Sequence, residues 1–209
     1  MIQYCILKLM TRSRGDSAPR RYVQRKRAAL AAETRARITR AAAELHETIG
    51  PAATTISAVA ERARVQRVTV YRHFPDEAAL FRACQGHYLS EHPPPDPTWL
   101  SIADPRERLR ATLGALYEYY EETAEMTERL LRDASKVPVL VDTMAPYANF
   151  LASLTDALLQ GRDETEEVRA AIAHALAFET WSDLVRRNRL PNEVAADLMT
   201  RLTAAAGGL

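Results

Sequence analysis

The stretch RVQRVTVYRHF, residues 64–74, decides how the chain is read. At 100° per residue Val70 and Phe74 share one face of a short helix, which Val65 can join from the turn before it. Arg67, Val68, Thr69, Tyr71 and Arg72 then point elsewhere, and Gln66 sits at the tip. The apolar residues anchor this helix, and a basic, aromatic and hydroxyl-bearing face is left for something outside it.

Working outward, TTISAVAERA (residues 54–63) puts Ile56, Val59, Ala60 and Ala63 on one face of a helix of about two turns, with Thr55 as its N-cap. Upstream, in ETRARITRAAAELHETIG (residues 33–50), Ile38, Ala42, Leu45 and Ile49 share a face, and Gly50 and Pro51 end the helix. Downstream, FPDEAALFRACQGHYL (residues 74–89) starts another helix at Pro75 or Asp76 and turns Leu80 and Phe81 inward. Two short helices joined by a tight turn, the second studded with Arg, Gln, Thr and Tyr, make a helix-turn-helix whose second helix enters the DNA major groove.

Charge is divided in the same sense. The 209 residues have a net charge of +1, but residues 1–74 carry 15 Lys and Arg against 5 Asp and Glu, and residues 75–209 carry 13 against 22. One end is suited to a polyanion and the other is not. Alanine and leucine dominate, Gly is scarce and β-branched alternation is rare, which predicts an all-α fold. Cys5 and Cys84 form no disulfide framework, so free thiols and a cytoplasmic location are expected. MIQYCILKLM at the start is too short, and too interrupted by Lys8, for a membrane span, and it lacks a cleavage site; Met10 is an alternative start.

The basic run RSRGDSAPRRYVQRKR (residues 12–27) is expected to be disordered at least to Pro19, within a partly disordered extension over 1–30. Its Arg20, Arg21, Arg25, Lys26 and Arg27 either track the minor groove as an arm, extend the first helix or only solubilise the chain. The run EHPPPDPTW (residues 91–99) cannot be helical and separates a helix-turn-helix domain over 31–90 from a second domain over 99–209.

In that second domain Leu109, Leu113, Leu116 and Tyr120 recur at helix spacing, as do Leu140, Met144, Tyr147, Leu151, Leu154 and Leu158, with Pro146 expected to kink or split their helix. The last two helices are expected over 163–190, capped by Asp163 with Glu166, and over 191–208. The first is apolar on more than one side, with small Ala170, Ala171, Ala173, Ala175 and Ala177, which predicts a homodimer built from helix pairs.

The segment TTISAVAERARVQRVTVYRHFPDEAALF (residues 54–81) resembles the DNA-binding signature of TetR-type bacterial transcriptional regulators. The resemblance rests on the paired Thr54 and Thr55, an Ala within helix 2, a Val after the turn, the T-[VL]-Y-x-H-F pattern at 69–74 and the acidic start DEAAL. Arg37, Ile38, the alanine run and Gly50 fit as well, so it spans about residues 34–82. It implies that Gln66, Arg67, Val68 and Thr69 face base edges or the adjoining backbone. It further implies that Tyr71 and His73 hold phosphates and that Thr55 caps helix 2 beside another. Their chemistry agrees: Arg67 can bond guanine O6 and N7, Gln66 can bond adenine, and Val68 or Thr69 can touch a thymine methyl. Arg72 belongs to the same face. Arg64 stands where the family usually has Gly, so a left-handed backbone there would cost about 1 kcal/mol unless the turn differs or Arg64 reaches a phosphate. Ser57 stands where the family often has a base-reading Arg.

The aromatic residues Tyr117, Tyr120, Tyr147, Phe150, Phe178 and Trp181, with Met144 and His174, either line an effector pocket, as the resemblance implies, or pack as ordinary core. Cys84, His87 and His92 lack a fourth ligand for a metal site, so no metal and no cofactor is expected. No nucleophile motif, phosphate loop or metalloprotease motif marks an enzyme. Two regulatory readings remain: a repressor released from a palindromic operator by a small apolar or aromatic effector, and a dimeric DNA-binding regulator without one.

Overall fold

The computed structural model describes residues 17–162 and 164–206, with side chains from residue 21 onward. Helix α1 (Ser17–Thr48) ends at Gly50, whose φ of 90° only glycine adopts freely, and Pro51–Ala53 add one 3-10 turn. Helices α2 (Ile56–Arg62), α3 (Arg67–His73) and α4 (Glu77–Glu91) follow. Thr55 caps α2 by accepting from the Ala58 N–H at 3.1 Å, and Asp76 caps α4 by accepting from the Ala79 N–H at 2.6 Å. Ile38 and Ala42 of α1, Val59 and Ala60 of α2, Val70 of α3 with Phe74 just after it, and Leu80 of α4 close one small core. The alanines at 41–43 leave room for the short helices to approach α1.

The second core surrounds α5 (Pro105–Asp133), whose Leu109, Leu113, Leu116, Tyr117 and Tyr120 are fully buried. Helices α6 (Pro138–Leu159), α7 (Glu166–Leu176), α8 (Phe178–Trp181) and α9 (Asn192–Ala206) pack around it, with a π-helical turn at Ser182–Arg187. The two units meet where α1 and α4 lie against α5 and α6. Among the described residues there is no strand, and no helix is long and apolar enough to cross a membrane.

Several expectations are corrected. Helix α1 begins at Ser17, two residues before the proline up to which an irregular chain was expected; Pro19 sits in the first turn, where its missing N–H has no partner to lose. The remainder of the extension, with Cys5, Lys8 and Met10, lies outside the described residues. Ile49 falls past the end of α1 and is exposed. Within 91–99, Glu91 ends α4 and Pro97–Ser101 wind into a 3-10 turn, a geometry that tolerates proline at its start. Helix α6 continues through Pro146 unsplit.

The helix expected over 163–190 is broken at Ala177, whose ψ of 137° is extended. Buried tyrosines occupy the carbonyls freed by the break: Tyr117 donates to Ala175 O at 2.9 Å and Tyr120 to Leu176 O at 2.7 Å. Thr165 caps α7, accepting from the Val168 N–H at 3.3 Å; the expected cap, Asp163, lies outside the described residues.

Candidate nucleic-acid interface and the cavity behind it

Helix α3 separates its residues as the spacing requires. Val70 is fully buried and Phe74 nearly so, while Gln66, Arg67, Val68, Tyr71 and Arg72 are exposed and Thr69 and His73 half-buried. Val68 is 67% exposed, an uncovered apolar side chain in the middle of a basic face. Thr55 lies at the exposed start of α2, its hydroxyl oxygen already engaged as the cap. Burial first, then the Arg72 and Arg35 charges, pushes the His73 pKa below its ordinary value.

Helix α3 is held at both ends. Val65 N–H donates to Ala60 O at 2.9 Å in the turn, where Arg64 adopts φ 53°. The left-handed turn expected from the resemblance is thus present, with arginine in place of glycine. At the other end Arg35 of α1 donates to His73 O and stacks its guanidinium 4.0 Å from the centre of the Phe74 ring. Arg37, Arg40 and Arg62 gather beside Arg64, and among the described residues only Arg62 is paired there, to Glu44 at 2.7 Å.

A cavity of about 130 Å³ lies where the two units meet. Helix α1 contributes His46, α4 contributes Phe81 and Tyr88, α5 contributes Tyr120, and α6 contributes Met144 and Tyr147. His46 stacks on Phe81 with centroids 4.6 Å apart, and burial holds its pKa down at about 4. Tyr120, which donates to Leu176 O, accepts from Tyr147 across 3.0 Å. The Tyr88 hydroxyl is buried with no hydrogen-bond partner among the described residues.

Of the residues predicted to line an effector pocket, Tyr120, Met144 and Tyr147 meet at this cavity. Tyr117, Phe178 and Trp181 lie behind it as core, Trp181 donating to Asn192 Oδ1 at 2.9 Å, and Phe150 packs against that core half-buried. His174 does not reach the cavity: it is exposed on the outer side of α7 beside Thr180. Cys84, His87 and His92 do not converge, since Cys84 is buried toward Thr39 O while His92 pairs with Glu122 at 2.7 Å and His87 with Glu91 at 3.4 Å. The contributions of His46, Phe81 and Tyr88 were missed in the sequence. For Phe81 and Tyr88 the one signal is that α4 is apolar on a second side, with the two residues seven apart and off the Leu80 face; His46 gave none.

Residues 38–84 match the sequence model of bacterial regulatory proteins of the tetR family. No curated protein matches the chain. Among solved structures, a protein from Mesorhizobium loti described as a TetR-family transcriptional regulator is similar over 86% of this chain and 98% of its own, with a TM-score of 0.60 and 20% identity. A transcriptional regulator from Rhodococcus sp. RHA1 is similar over 84% and 98%, at 0.60 and 19%. A Clostridium perfringens protein described as a fatty acid metabolism regulator is similar over 81% and 97%, at 0.60 and 17%. At these identities the likeness is one of fold.

Proposed function

We propose that this chain, whose residues 38–84 match the tetR family of bacterial regulatory proteins, is a homodimeric transcriptional repressor that reads a palindromic operator and is released by a small apolar or aromatic effector. The observation that carries the DNA reading is the presentation of α3: Val70 and the adjoining Phe74 are buried, while its donors and the Val68 methyls are exposed on one surface. Arg67 and Gln66 bond base edges, and Val68 and Thr69 meet thymine methyls. Tyr71, Arg72, His73, Arg64 and Thr55 hold phosphates, fixing register without choosing sequence.

Exposed Ala170 and Ala173 on α7, with Val194 and Leu202 on α9, support dimerisation through this pair of helices, because a second copy can cover the same patch symmetrically. The cavity supports the effector. It touches α1 and α4 of the reading domain as well as α5 and α6, so a molecule binding there acts directly on the orientation of α3.

Selection of bound fragments from randomised DNA at physiological salt tests the reading. Enrichment of a palindrome is expected; enrichment of nothing palindromic would reduce the basic unit to a non-specific anchor. One observation favours the reading without an effector: 130 Å³ is less than the roughly 300 Å³ and upward of ordinary ligand sites. It does match an engineered apolar cavity of about 150 Å³ that takes up benzene. One-ring aromatic compounds that raise the Tm and release the selected DNA would decide for the effector; a panel that does neither would leave the second domain to dimerise alone.

A further inference from the structure

The first turns of α1 have no task in the fold. Residues 21–33 are exposed without interruption, and burial begins only at Ile38. This free part of α1 is about 20 Å long at 1.5 Å per residue. It carries Arg21, Arg25, Lys26 and Arg27 against a single acid, Glu33. Arg21 and Arg25 are like charges four residues apart, which destabilise a helix lacking a counter-charge, and among the described residues nothing packs against them to compensate.

The arm also leaves the domain at a telling place. Arg35, just after it, is bonded to His73 O at the C-terminal end of α3, so the arm is rooted beside the reading helix. Arg37 and Arg40 continue the basic series from the arm to the cluster around Arg64. A helix about 10 Å across does not enter a minor groove about 6 Å wide, so the minor-groove role weighed from sequence does not suit a helical arm. The phosphate backbone does, because it needs only positive charge along a path.

We infer that residues 21–33 form a helical arm that grips DNA phosphates outside the base pairs read by α3, extending the contact on both flanks of a symmetric site. The inference rests on the DNA-binding reading above. The arm contributes affinity and salt dependence, not sequence choice.

The test compares the full-length protein with a variant carrying Arg21→Gln, Arg25→Gln, Lys26→Gln and Arg27→Gln, which keeps helix-forming side chains. The probes are a long duplex containing the palindrome selected by the wild type and a scrambled duplex of equal length. Affinity is read between about 50 and 200 mM salt, together with a hydroxyl-radical footprint. Each lost phosphate contact is expected to lower the slope of log K against log salt by about 0.9, on both duplexes alike. Protection should vanish at the two outer edges of the footprint and persist at its centre. An unchanged slope and footprint would overturn the arm while leaving the reading of α3 intact. An altered oligomeric state with unchanged slope would assign the arm to the acidic half of a second copy. Should the wild type select no sequence, the reading of α3 falls, yet the slope on the scrambled duplex still decides the arm.

Discussion

Arg35 donates to the carbonyl of His73 at 2.5 Å, joining the middle of α1 to the last turn of the reading helix thirty-eight residues later. Its guanidinium covers the Phe74 ring, so one side chain satisfies a C-terminal carbonyl and clamps the residue that ends α3. Replacing Arg35 by Ala is expected to cost about 1–2 kcal/mol of stability and to weaken binding to the selected palindrome. Arg35→Lys distinguishes position from charge. Equal losses in the two variants mark a positioning residue; full affinity in the Lys variant would make Arg35 merely another cation near DNA.

Arg67 and Tyr71 are both exposed on α3 but are assigned different work. Arg67→Ala should cost about 1–3 kcal/mol on the palindrome and relax preference at one base pair per half-site. Equal losses on scrambled DNA would contradict base reading. Tyr71→Phe removes the hydroxyl proposed to bond a phosphate, so all sequences should weaken together, and a sequence-selective loss would reassign it.

Arg64 holds φ 53° in the turn between α2 and α3. Glycine relieves that backbone but adds freedom to the unfolded chain, so Arg64→Gly should raise stability by at most about 1 kcal/mol. It also removes a cation from the cluster with Arg37 and Arg40, so DNA affinity should fall without loss of selectivity. Chemical denaturation and binding titrations of the same variant measure the opposed effects. A fall in both would mean that Arg64 stabilises the turn through its side chain.

What the sequence disclosed was local. Val70 and Phe74 lie four apart on one helix face, and that spacing alone gave α3 its inner and outer sides. Thr55 was read as a cap, and Pro75 or Asp76 as a helix start, because such signals lie within about three residues of the groups they serve. The break at Ala177 could not be read in this way: the residues around it are good helix formers, and the freed carbonyls are taken by Tyr117 and Tyr120, more than fifty positions away. The cavity has the same cause. Tyr120, Met144 and Tyr147 were found from their aromatic or apolar spacing, but His46, Phe81 and Tyr88 belong to helices placed in the DNA-binding domain, and no spacing within one helix shows that they face a cavity shared with the second domain. His174 lies away from this cavity because α7 buries Val168, Ile172, Ala175 and Leu176, and position 174 falls on the opposite side of that helix.

His46 is neutral in the fold because burial against Phe81 lowers its pKa from 6.5 to about 4. The unfolded chain binds a proton near pH 6.5 that the folded chain refuses until about pH 4. The stabilisation is therefore complete above pH 6.5 and is lost as pH falls through this window, by up to about 3 kcal/mol. His46→Gln should flatten the unfolding free energy between pH 6.5 and 4 relative to the wild type. An unchanged pH slope would place the responsible proton elsewhere.

Asp133, at the end of α5, is almost fully buried and accepts from the Ala52 N–H at 3.1 Å and from Arg132 at 2.9 Å. Arg132 also donates to Ile49 O, and Arg129 to Thr48 O, so the second domain grips the link between α1 and α2 through a compact polar contact. The adjacent guanidinium holds the Asp133 carboxyl down at about 2, so its charge persists throughout the neutral range. Gly50 makes the approach possible: a Cβ there would stand 2.1 Å from Arg132 Nη2 and 2.5 Å from Asp133 Oδ2, at a φ that disfavours any other residue. Asp133→Asn should cost about 1–3 kcal/mol, since it replaces an accepting oxygen or turns an amide N–H toward a donor. Hydrogen exchange at the Ala52 amide should accelerate in the same variant. Gly50→Ala should destabilise as well, and the two losses should add to more than the loss in the double variant, because both break one contact. Strict additivity would show that the carboxylate and the glycine act independently, and the polar contact would then not be what joins the reading domain to the rest of the chain.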